Sequence, residues 1–195
     1  MRDDTGLTPR GLEARGFSGF IPFEKLPGSH VPQEGGVYVV LRPSVGPPRF
    51  LTTSPAGWRR QRDPSVPRER LALEWVDGAH VVYIGKAVTG ARARHGLRGR
   101  LLQYARSGTG SSGHWGGRFV WQLEDSSSLL VAWRPTPGLD PAHVEAELID
   151  EFVLVHGKPP FANLRRGSRS RPTPRSMENG LTPRRQTEAA SAGEE

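Results

Sequence analysis

Two short apolar runs, Val37–Leu41 and Val81–Ile84, constrain this 195-residue chain most. Their β-branched and aromatic content marks buried strands. Each carries a compact triplet with a glycine and a tyrosine: Gly36-Val37-Tyr38 in the first, Tyr83-Ile84-Gly85 in the second, with Lys86 directly after. Two tyrosines and a lysine on neighbouring strands, followed by an Arg-rich helix, suit a site that acts on phosphate. Lys86 can hold a phosphate or help deprotonate a nucleophile, and Tyr38 and Tyr83 can position or deprotonate a water. The plainer alternative is a pair of strand aromatics with satisfied hydroxyls.

Helical signals are clearest near the end of the ordered sequence. Asp140 is a good N-cap, Pro141 suits N1, and Val144, Leu148, Ile149, Phe152 and Val155 form one apolar face. Gly157, Pro159 and Pro160 stop the helix. At about 100° per residue, Glu145 leans towards this face, while Glu147 and Asp150 point away. A carboxylate leaning into a core needs a partner, which a metal ion or a basic side chain supplies. Leu97, Leu101 and Ala105 mark a second helix over Leu97–Ala105, on which Arg100 and Tyr104 share a face.

A chain of this size is most simply one domain with tails. Residues 1–16 read as a flexible segment, 17–167 as the folded domain, and 168–195 as a disordered Arg/Pro/Ser-rich tail with too little apolar surface to order. An insertion over residues 42–78, rich in proline, begins as loop, with a short helix over Val66–Trp75. Leu129–Trp133 reads as a third strand. There is no cysteine, no 18-residue apolar run and no secretory signal, so a cytoplasmic protein is expected.

The formal charge is +7, and of the 27 basic residues only Lys25, Lys86 and Lys158 are lysines. This balance suits a polyanionic partner; the arginine skew equally fits a GC-rich genome. Contacts to nucleic acid fall most naturally to Arg59 and Arg60 beside Trp58, to Arg92, Arg94 and His95 before the second helix, and to His114 and Arg118 in a Gly-rich segment. For the last two groups a solvated loop and a packing turn are the competing readings.

The two triplets, Leu97-Arg98-Gly99-Arg100, Glu145-Ala146-Glu147-Leu148-Ile149 and Asn163 in Pro160-Phe161-Ala162-Asn163 together resemble the GIY-YIG nuclease family, with Val for Ile in the first triplet. The resemblance covers roughly residues 35–42, 80–105 and 129–163. It implies a small α/β fold with a three-stranded, mainly antiparallel sheet flanked by helices, and a short helix rather than a strand over Arg118–Leu123. It implies a metal-dependent endonuclease that hydrolyses DNA by in-line attack of water. The catalytic set would be Tyr38, Tyr83, Lys86, Arg100, Tyr104, Glu145 and Asn163, with one Mg²⁺ or Mn²⁺ on Glu145. The resemblance puts the catalytic arginine at Arg100, not Arg98; an arginine suits the role because its fork of donors matches a phosphate. A nucleic-acid-binding module without cleavage, and a protein adaptor using the aromatic insertion, are the alternatives.

Overall fold

The computed structural model describes residues 6–58, 60–90, 96–108, 110 and 117–164. The N-terminal segment, expected to be flexible, contains helix α1, Pro9–Ala14. The Thr8 hydroxyl caps it by accepting from Gly11 N, and Leu12 is fully buried. The following elements are β1 (Ser18–Pro22), β2 (Gly36–Leu41), α2 (Arg68–Glu74), β3 (Val81–Ala87), α3 (Gly96–Gly108), α4 (Arg118–Trp121), β4 (Leu130–Pro135) and α5 (Pro141–His156).

The strands form one antiparallel sheet of four, in the order β1-β4-β2-β3. The expected count of three omits β1. That strand is short and half-exposed, its register shifts between Gly19 and Ile21, and Phe20 has φ 52°, so no alternating pattern betrays it. The other three strands lie close to their expected positions.

Every residue of β2 is buried, because both sheet faces are covered. Tyr38, Val40, Val131 and Trp133 meet α3, α4 and the insertion on one face. Val37, Val39, Leu41 and Ile84 meet α1 and α5 on the other. A continuous apolar run, rather than an alternating one, is what such a strand requires.

The insertion is part of this core. Ala56, Val66, Leu71 and Trp75 are buried in it, and Phe50 bridges Leu123. Gln122, itself fully buried, clamps the strap. Its Oε1 accepts from Val66 N at 2.9 Å, and its Nε2 donates to Val66 O at 2.8 Å and Leu51 O at 2.9 Å. A buried amide with all its main valences used fixes a loop as a strand pairing would.

Helix α5 begins as its sequence signals indicate. The Asp140 side chain accepts from Ala142 N, Pro141 sits in the first turn, and Gly157 ends the helix with φ 77°. Beyond it the chain returns along the outer edge of β3, where Ala162 N donates to Val82 O at 2.9 Å. Among the described residues no helix is long and apolar enough to cross a membrane.

Candidate active site

The register of β2 and β3 sorts the triplet residues onto two faces. Tyr38 pairs with Gly85 and Val40 with Tyr83, so both tyrosines face α3. Val37 pairs with Lys86, which therefore faces α5. Gly85 is the pivot of this arrangement. A Cβ there would lie 2.6 Å from Tyr38 Cζ and 2.8 Å from Tyr83 Cε1, so only glycine lets the Tyr38 ring cross β3.

The chain has three tyrosines, and all three meet here. Tyr38 and Tyr83 have ring centroids 6.0 Å apart, Tyr38 and Tyr104 6.2 Å, and Tyr83 and Tyr104 5.6 Å in a stacked arrangement. Tyr104 reaches the cluster because it shares the buried face of α3 with Leu97 and Leu101. Burial raises the pKa of all three phenols above its ordinary 10.0. At Tyr38 the positive charge of Arg100 opposes that rise, and the negative charge of Glu145 adds to it. The Tyr38 hydroxyl is fully buried without a hydrogen bond of good geometry.

Arg100 lies on α3, on the tyrosine side of the sheet, and Glu145 on α5, on the other side. Both charges also act on Tyr83. Arg100 is steadied by Gln103, one turn on, whose Oε1 accepts from Nη1 at 3.0 Å. Sequence reasoning passed over Gln103, although its i+3 spacing from Arg100 was visible. Arg98 is occupied elsewhere: its Nη1 donates to Ser29 O at 2.9 Å, tying α3 to the 3₁₀ turn at Phe23–Gly28.

Glu145 is buried, and its carboxylate takes a short ion pair from Lys86. Its core-leaning position thus has a basic partner, supplied by the second triplet. Glu147 is exposed and pairs with His143 at 3.0 Å. Among the described residues no group of three or more His, Asp or Glu side chains gathers as a metal cage. The donor chemistry of Glu145 still fits Mg²⁺ or Mn²⁺, which bind through one or two carboxylates and complete their shells with water and substrate phosphate.

Asn163 holds the strand that carries the second triplet. Its Oδ1 accepts from Ile84 N at 2.9 Å and its Nδ2 donates to Ile84 O at 2.8 Å. With both ends of the amide engaged, Asn163 acts on the site through the position of β3.

The expected nucleic-acid contacts divide. Arg60 is exposed. Arg118 is half-buried, with its guanidinium 5.3 Å from the Phe119 ring centroid, and Gly117 before it packs directly beneath the Tyr104 ring. This end of the Gly-rich segment is therefore packed. Arg59, Arg92, Arg94, His95, His114 and the tail from residue 165 lie outside the described residues. Comparisons with family models, with curated proteins and with solved structures found no match.

Proposed function

We propose that this chain is a metal-dependent endonuclease of the GIY-YIG type, hydrolysing phosphodiester bonds in DNA. Two observations support the reading: the three buried tyrosines gather beside Gly85 on the α3 face, with the positive charge of Arg100 acting on them, and Glu145 meets Lys86 on the α5 face of the same strand. A cation, a carboxylate and buried phenols are what phosphodiester hydrolysis uses, since the chemistry is mostly positioning and charge stabilisation.

Each residue has a role that follows from its surroundings. Arg100 meets the non-bridging phosphoryl oxygens and stabilises the charge that develops on them. Burial keeps Tyr38 and Tyr83 protonated at neutral pH, so they orient the attacking water by hydrogen bonding rather than stand ready as bases. Water attacks phosphorus in line and gives up a proton to solvent, the P–O bond opposite breaks, and the departing oxygen takes a proton from solvent. Glu145 would hold a divalent ion, which when bound supplies Lewis acidity at the leaving oxygen. Lys86 balances the Glu145 carboxylate and is released towards substrate phosphate when that charge is taken up elsewhere. Asn163 and Gly85 are positioning residues.

Supercoiled plasmid incubated with the full chain and Mg²⁺ or Mn²⁺ tests the reading: nicked circles should appear only with metal. A second reading draws on the Lys86–Glu145 ion pair, which already neutralises the carboxylate a metal would use. A module that holds DNA without cutting it would bind plasmid in a salt-dependent way and leave it supercoiled with either metal.

A further inference from the structure

Among the described residues the tryptophans Trp75, Trp121 and Trp133 are buried, whereas Trp58 is 61% exposed. Its exposure is not the result of a loose loop. Gly57 N donates to Ser107 O at 3.0 Å, Ala56 N to Ser54 Oγ at 3.2 Å, and Ser54 N to Ser65 Oγ at 3.0 Å. Ala56 is buried in the core beside Trp58. Beyond residue 59, Arg60 and Gln61 have φ 48° and 62°, a left-handed conformation uncommon for residues with a Cβ. The backbone leading into Trp58 is thus held by hydrogen bonds, and its indole stands in water.

The residues that follow Trp58 in sequence are rich in arginine. Arg60 and Arg62 are exposed, and among the described residues neither is held by a carboxylate. Asp63, the carboxylate of the loop, is turned back onto Ser65 N at 2.7 Å. The anchor residue Ser107 lies on α3 about two turns beyond Arg100, roughly 10 Å along the helix axis, and on the same helix face. An exposed aromatic plane flanked by unpaired guanidinium groups is the means by which proteins hold single strands, with bases stacking and arginines tracking phosphates.

We propose that Trp58 is a stacking platform for an unpaired base, with Arg60 and Arg62 on the adjoining phosphates, so that the site takes single-stranded or locally opened DNA. This rests on the nuclease reading and adds the form of strand engaged. Stacking of this kind tolerates any base, because every base has a π-face.

Binding to labelled oligo(dT) and to a duplex of equal length, measured with the full chain in metal-free buffer, tests the proposal. Wild type should prefer oligo(dT), and its tryptophan fluorescence should be quenched on binding. Trp58→Ala should weaken oligo(dT) binding by on the order of tenfold and remove most of the quenching, while Trp58→Phe keeps most of the affinity. Wild-type affinity in Trp58→Ala, equal loss in Trp58→Phe, or equal binding of duplex would each overturn it. If plasmid is nicked normally while Trp58→Ala binds oligo(dT) like wild type, this inference falls alone. If oligo(dT) binding depends on Trp58 but neither metal supports nicking, the inference stands and the hydrolase reading falls.

Discussion

The Tyr38 ring lies across Gly85 on the neighbouring strand, close enough that a methyl group at position 85 would stand 2.7 Å from its hydroxyl oxygen. Gly85→Ala must therefore displace Tyr38 or separate β2 from β3. Overpacking of this kind costs about 1–3 kcal/mol. The denaturation midpoint should fall, and nicking should fall further than stability alone explains, because the displaced group is a phenol on which the charge of Arg100 acts. Unchanged tyrosine fluorescence and activity in the variant would show that the ring has somewhere else to go.

Glu145→Gln keeps the shape of the side chain and removes its charge. Metal-dependent nicking should disappear, and Lys86 loses its counter-charge. Glu147→Ala removes an exposed partner of His143 and should cut nearly as wild type. Loss of activity in the Glu147 variant with a functional Glu145 variant would place the metal on the other face of α5.

Arg100→Ala should reduce the cleavage rate on the order of 10²-fold or more, as does removal of one preorganised donor, with a smaller effect on DNA affinity. Arg98→Ala should act on stability instead, by about 1 kcal/mol, because its guanidinium holds the Ser29 carbonyl. Paired measurements of single-turnover rate and melting temperature separate the two. The reverse pattern would exchange their roles.

Asn163→Ala leaves the N–H and C=O of Ile84 without their side-chain partner. A loss of about 1–3 kcal/mol is expected. Amide exchange at Ile84 should accelerate more than exchange at Val39, which faces the sheet interior. Equal acceleration at both amides would mean that the whole sheet, not its edge, is weakened.

Because the chain contains no other tyrosines, alkaline titration reads this cluster alone. Burial raises all three pKa values above 10.0. Stability from these groups is therefore fully present below pH 10 and is lost as pH climbs beyond it. Tyrosinate absorbance should stay low through that value and then rise together with loss of the fold. A separate early rise would identify an accessible phenol.

How much was legible beforehand depended on the range of each interaction. The ends of α5 are written in adjacent residues, Asp140, Pro141 and Gly157, and were readable. Helix α1 has a cap and a proline at Thr8-Pro9, yet six residues are too few to show a period. Strand β1 hides behind a bulge. The inward lean of Glu145 was readable from helical geometry, but not that Lys86 meets it, because 59 residues separate them and no local pattern links the two. Asn163 was noticed through its resemblance to a motif. Its bond to Ile84 is a property of the returning chain, which sequence spacing does not encode.

The last strand made, among the described residues, is an interior one. Strand β4 lies between β1 and β2, so β1 has no sheet neighbour until residues 130–135 are present. During synthesis the β2–β3 hairpin therefore waits with the inner side of β2 open, and β1 waits unpaired more than a hundred residues upstream. Such distant pairings slow folding and leave hydrogen-bonding edges exposed to neighbouring chains. The nascent protein thus passes through a long interval in which it is vulnerable to aggregation, and that interval ends only when β4 slots into the gap.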